Sequence, residues 1–258
     1  MKTIVCVKQV PSTNEVRLDP VTKTIIRDGR QSVINPFDTY AIEEAVRLKE
    51  KLGGEVIAMS MGIPATERLL RSAVSVGVDS ALLLTDRAFA GSDTLATSYA
   101  LSLGAKELGF DLIICGKMAV DGDTAQIGPE LSQQLGIPYV TDVCGILEAS
   151  ETKLTVRKVT DTGFAEVTVK LPALLTVTKD INMPRLPSIS GVRKSLSAPF
   201  RAVTAAEVGA DPARCGLNGS PTHVVKTYTP DRTQKAEFLT GTADETAAAV
   251  LKICGEVL

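Results

Sequence analysis

The sequence predicts an α/β protein: a doubly wound, mostly parallel sheet with an antiparallel hairpin and an extended C-terminal arm. Three observations lead there. Short apolar runs recur at 4–7, 55–60, 81–85 and 111–115, each suited to a strand buried on both faces. Segments of helical periodicity separate them, and that alternation calls for crossover connections between parallel strands. Beyond Pro138 the period changes to two, over 153–159 and 164–171 around Asp161-Thr162-Gly163, the pattern of a hairpin.

The elements follow in order. After the first strand, the polar stretch 13–30 carries an Asp28-Gly29 pair and predicts a hairpin excursion. Asn35-Pro36-Phe37-Asp38 opens a helix whose apolar face is Ala41, Ile42, Ala45, Val46, Leu48 and Leu52, closed by Gly53-Gly54. Pro64 starts a second helix, through Leu69, Leu70, Ala73 and Val76 to Gly77. Ser92 or Asp93 caps a third, running to about Leu108, and Gly116 ends the strand at 111–115. A buried strand returns at 173–178. Residues 179–197 are expected as a loop with Pro184, Pro187 and Gly191, and 244–258 as an amphipathic helix with Ala248, Leu251, Ile253 and Leu258 on its apolar side. The expected division is a 1–190 nucleotide-binding domain and a 191–258 arm.

Composition bounds the function. The chain has 258 residues, 44% of them hydrophobic, enough for one large domain with appendages. With 28 basic and 30 acidic residues the net charge is −2, which argues against nucleic-acid binding. No apolar run approaches the length of a membrane span, and the N-terminus lacks the apolar core of a signal peptide, so it is expected as a first strand. The five cysteines show no CxxC spacing and suit a reducing cytoplasm better than a disulfide framework. His223, the sole histidine, cannot build a His-rich metal site, and nothing places it beside a nucleophile.

In a doubly wound sheet ligands sit beyond the carboxyl ends of the strands, here the loops after Val7, Ser60, Thr85 and Cys115. The last is the most informative: Gly116, Lys117, Met118, Ala119, Val120, Asp121, Gly122, Asp123, Thr124, Ala125, Gln126 and Ile127 lead into a helix. Glycines allow close backbone approach, and amides at a helix start suit a phosphate. Asp121 and Asp123 would repel a phosphate, so they are expected to cap backbone amides or meet a ribose hydroxyl. From these residues alone a structural loop fits equally well, since the segment is neither a Walker A loop nor GxGxxG. Lys8 and Lys117, at strand ends, are candidates to offset ligand charge or to be solvated.

The chain resembles the β subunit of electron-transfer flavoproteins, probed by VCVKQVP at 5–11, DPVT and RDG within 19–29, NPFD at 35–38, AIEEAVRLKEKLGGEV at 41–56, GKMAVDGDTAQIGPE at 116–130 and LPALLTV at 171–177. The resemblance implies an adenine-nucleotide-binding, Rossmann-like fold. It places the nucleotide pocket at Cys6 (through backbone), Asn35, Pro36, Phe37, Asp38, Met61 and 116–127. In that family ordinary members hold AMP here, while bifurcating members hold FAD, take a hydride from NADH and send its electrons along two routes. DRAFAGSDTLATS at 86–98 is similar to the bifurcating group and adds Asp93, Thr94 and Thr97 to the pocket; capping of a helix by Ser92 and Asp93 is the structural alternative. The implied partners are an electron-transfer flavoprotein α subunit, covering 244–258, an acyl-CoA dehydrogenase or related flavin dehydrogenase docked on 179–195 with Ile189 as anchor, and ferredoxin or flavodoxin as low-potential acceptor. A non-bifurcating AMP scaffold and an adenine-nucleotide sensor remain as alternatives.

Overall fold

Strand β1 (Lys2–Cys6) lies at the centre of the sheet, because its residues are apolar on both sides. The computed structural model describes residues 1–12, 32–225 and 238–257. The stretch 13–30, expected as a hairpin excursion, lies outside these. At its flanks β2 (Gln9–Pro11) pairs antiparallel with β3 (Ser32–Ile34), which returns the chain to within reach of β1. Helix α1 (Pro36–Leu52) follows, closed by Gly53 at φ 75°, whose amide donates to the Lys49 carbonyl over 2.8 Å.

The order continues as β4 (Glu55–Met61), a 3-10 turn at Pro64–Thr66, α2 (Glu67–Ser75), β5 (Ser80–Leu84), α3 (Thr94–Leu108), β6 (Leu112–Gly116) and α4 (Ile127–Leu135). Then come β7 (Tyr139–Ala149), β8 (Lys153–Thr160), β9 (Gly163–Lys170), β10 (Ala173–Val177), α5 (Ile189–Ser195) and β11 (Phe200–Val203). The strands form one nine-stranded sheet in the order β11-β5-β4-β1-β6-β10-β7-β8-β9. Pairing is parallel from β11 to β7 and antiparallel across β7-β8-β9. The expected doubly wound sheet and its hairpin are both present.

Alternation along the strands divides the core in two. Val5, Ala58, Leu83 and Ile114 pack with Ala41, Ile42, Leu70 and Ala73 of α1 and α2. Ile4, Met59, Leu82 and Ile113 face the other way, against Tyr99 and Ala100 of α3 and Leu131 of α4. Each such large side chain contributes roughly 1.5–3 kcal/mol on burial. Gly128 lets α4 lie close to β10, since a Cβ there would fall 2.3 Å from Thr176 Cγ2. From β1 the chain winds outward through β4 and β5, then crosses to β6 on the other side. This reversal opens a crevice at the carboxyl ends of β1 and β6.

Residues 179–197, expected as loop, contain the short helix α5, capped where Ser188 Oγ accepts from the Gly191 amide at 2.9 Å. Strand β11, absent from the expectation, extends the sheet beyond β5. The chain divides into two compact units, Met1–His223 and Val224–Leu258, so 191–223 belongs with the first. In the second, α6 (Ala243–Val257) starts with a capping box: Glu245 Oε2 accepts from the Thr242 amide at 2.8 Å, and Thr242 Oγ1 from the Glu245 amide at 3.4 Å. No helix among the described residues is long and apolar enough to cross a membrane.

Candidate nucleotide site

Three segments meet at the crevice: the end of β1, the start of α1 and the loop after β6. Asn35 joins them. It is buried, and its Nδ2 donates to Asp38 Oδ1 and to the Met118 carbonyl, both at 2.9 Å. Its Oδ1 accepts from the Val120 amide at 3.1 Å, and its own amide donates to the Lys8 carbonyl at 2.9 Å. Asp38 completes the junction by accepting from the Lys8 amide through Oδ2 at 2.7 Å. Burial pushes its carboxyl up to about 7, against the opposing hydrogen bonds from Asn35, Lys8 and Gly116. Gly116 is required by this packing: a Cβ there would lie 2.4 Å from Asp38 Oδ1 and 2.7 Å from the Phe37 carbonyl carbon. Asn35 and Asp38 thus spend their polar atoms on holding protein segments together.

The loop itself is open. Residues 120–126 are exposed, and Gly122 has open space beside its Cα. Asp123 and Ala125 adopt left-handed φ values of 52° and 54°, and the Gly122 and Asp123 amides donate to the Ala119 carbonyl. Of the two roles expected for Asp121, capping an amide or meeting a ribose hydroxyl, the first is not seen: its carboxylate meets Lys8 Nζ at 2.6 Å, which offsets its charge. Lys117 is likewise not solvated alone, pairing with Asp142 at 2.7 Å. At the start of α4 the Gln126 position carries no side-chain cap, so the first amides of that helix have no side-chain acceptor.

The start of α3 lies beside this loop. Asp93 is its N-cap, with Oδ1 accepting from the Ala96 amide at 3.0 Å and Oδ2 from the Thr222 amide at 3.1 Å. Hydrogen bonds from those amides outweigh burial and hold the Asp93 carboxyl below the usual range. Thr94 Oγ1 reaches Glu130 Oε1 at 3.0 Å and Gln126 Oε1 at 3.2 Å, joining the two helix starts. Burial pushes the Glu130 carboxyl up. The Thr97 hydroxyl has no partner among the described residues and is half-buried on the first turn of α3. Met61 ends β4 and packs against the core cluster on the α3 face.

Beneath the loops Cys6 and Cys115 are buried side by side; the neighbouring Cys6 thiol and burial push the Cys115 thiol up. Sequence reasoning missed Asp142 and Glu130. Glu130 was visible as an acid in the first turn of a helix, whereas Asp142 had no local signal. The arrangement has room for a phosphate: α4 amides without a side-chain cap, an open glycine and an Asp121 already paired with Lys8.

Fold and crevice together define a doubly wound α/β protein with an open crevice at its strand ends, the position where such sheets hold ligands. The electron transfer flavoprotein domain model matches residues 22–208. The chain is 48% identical over 246 residues to the electron transfer flavoprotein subunit beta of Thermoanaerobacterium thermosaccharolyticum, covering 95% of this chain and 94% of the relative. It is 42% identical over 253 residues to the caffeyl-CoA reductase-Etf complex subunit CarD of Acetobacterium woodii, covering 97% and 96%. Against protein FixA of Bradyrhizobium diazoefficiens it is 38% identical over 260 residues, covering 97% and 90%. The chain belongs to the electron transfer flavoprotein β-subunit family.

Proposed function

We propose that this chain holds FAD in the crevice, works with an electron-transfer flavoprotein α subunit, and takes part in NADH-dependent electron bifurcation. One observation carries the reading: Thr94 bridges to Gln126 and Glu130, so the starts of α3 and α4 form one continuous surface beside the loop. A site for AMP needs only the 116–127 loop. FAD, with a second phosphate and a ribitol, needs a longer surface than that loop, and the first turn of α3 extends it with the Thr94 side chain and with the Thr97 hydroxyl, which has no partner among the described residues. When bound, FAD supplies hydride acceptance and electron transfer, chemistry that belongs to the cofactor. The protein's part is to bind and orient: Asn35 and Asp38 fix the loops, and the α4 amides meet phosphate.

The relative named as a subunit of a caffeyl-CoA reductase-Etf complex supports assembly with a partner dehydrogenase. We place the dehydrogenase contact at Met183 and Leu186, exposed on the segment before α5, and at Ile189, exposed at its first position, the α subunit over the apolar side of α6, and ferredoxin or flavodoxin as low-potential acceptor. The buried, unpaired Cys6, Cys115 and Cys215 suit the cytoplasm.

Counting nucleotides in the purified αβ complex tests this. Two FAD are expected, and Thr94→Val with Thr97→Val should lower FAD occupancy in this subunit, and NADH-dependent reduction with it, while sparing the α-subunit FAD. One FAD with one AMP would instead establish the non-bifurcating AMP-binding reading.

A further inference from the structure

Asp142 is singled out by its backbone. Its φ of +58° is left-handed, in the middle of β7. There β7 takes one residue more than β10: Leu175 faces Val140 and Val177 faces Val143. A bulge with a left-handed residue ordinarily takes glycine, and aspartate is one of the few side chains that tolerate it. The carboxylate has a use here. Asp142 Oδ1 lies 2.7 Å from Lys117 Nζ, and no other donor among the described residues meets that oxygen. Burial leaves the ammonium as its compensation.

Both ends of the pair are fixed. The Asp142 amide donates to Thr176 Oγ1 at 3.2 Å. The Lys117 amide donates to the Val177 carbonyl at 2.9 Å. Lys117 sits between Gly116, packed on Asp38, and Met118, whose carbonyl Asn35 holds. A lysine fixed in this way has already lost the rotamer freedom that a ligand would otherwise have to remove.

We propose that Asp142 is a positioning residue for the nucleotide site: its carboxylate, set by the left-handed bulge, holds the Lys117 ammonium in place for an anionic ligand of the 116–127 loop. The inference rests on reading that loop as the nucleotide site. The full chain, purified with its α subunit and stripped of nucleotide from this subunit, is titrated with AMP, whose footprint both candidate nucleotides share. Asp142→Gly removes the carboxylate and relieves the backbone; Asp142→Asn keeps the turn and removes the charge. Asp142→Gly should melt at or above the parent's temperature yet bind AMP roughly fivefold more weakly, the upper range for a partly exposed pair. Asp142→Asn should weaken binding alike, and adding Lys117→Met should cost no more than Lys117→Met alone. Additive losses, or weakening that follows a lowered melting temperature, would overturn the proposal. AMP binding unchanged in both Asp142 variants defeats this inference alone, whereas a parent that binds no AMP defeats the nucleotide reading along with it.

Discussion

Asp38 Oδ2 accepts the Lys8 amide hydrogen at 2.7 Å, tying the first turn of α1 to the end of β1 across thirty positions of sequence. The bond sits in a buried place, so the same carboxylate is both a structural tie and a titrating group.

That tie makes stability depend on pH. The Asp38 carboxyl is pushed up to about 7 by burial, above its unfolded value near 3.8. The folded chain therefore binds the proton more tightly, and this group's contribution is full at low pH and declines as pH rises from about 4 to 7. The whole shift corresponds to about 4 kcal/mol. Urea unfolding midpoints from pH 5 to 8 should show a decline in the parent relative to Asp38→Asn, which has nothing to titrate there. A parent-minus-variant difference that is flat or rises with pH would count against it.

Gly116→Ala should be destabilising by about 1–3 kcal/mol, the usual cost of overpacking, because its Cβ would strike Asp38 and the Phe37 backbone. Nucleotide retention should fall with it. Gly122→Ala, with open space at the same loop, is the matched control and should leave the melting temperature unchanged. Equal thermal shifts in the two variants would refute the packing account.

Arg185 fastens the segment before α5 to α1. Its Nε lies 2.9 Å from Glu43 Oε2, and its Nη2 lies 2.9 Å from Glu50 Oε2. Burial raises the Glu43 carboxyl, yet hydrogen bonds from Arg185 and Arg47 outweigh it and hold the group below its ordinary value. That stabilisation is present above pH 4.5 and is lost as pH falls further. Arg185→Ala should cost about 1.5–3 kcal/mol at neutral pH and speed amide exchange over 180–188. Ile189→Ala, at a side chain 93% exposed, should leave stability alone while slowing electron delivery to the dehydrogenase. Unaltered exchange in the arginine variant would show that the ion pairs do not hold the segment.

How far the sequence reached depends on the range of the interactions. β1, β4, β5, β6 and β10 were legible because strands buried on both faces are short continuous apolar runs. Helix α3 was legible because Asp93 caps it from an adjacent position. β7 escaped notice because its bulge at Asp142 interrupts the alternation, and β11 because four residues are too few to show a period. Topology and resemblance pointed to the loops of the candidate site, but not to the contacts their side chains make. Asn35 and Asp38 looked like ligand contacts, and their partners turn out to be Lys8, Gly116, Met118 and Val120. Lys117 meets Asp142 only because β7 lies two strands from β6.

The central place of β1 has a consequence for biosynthesis. Strand β1 leaves the ribosome ahead of both its neighbours, pairing with Glu55–Met59 on one edge and with Leu112–Ile114 on the other. Its second edge therefore waits for about a hundred further residues to be translated, about 5–20 s at usual elongation rates. Through that interval Ile4 and Val5 have no finished layer to cover them. Nascent chains of this protein should be clients of ribosome-associated chaperones, and β1 gains its second neighbour only when β6 has emerged to close against it.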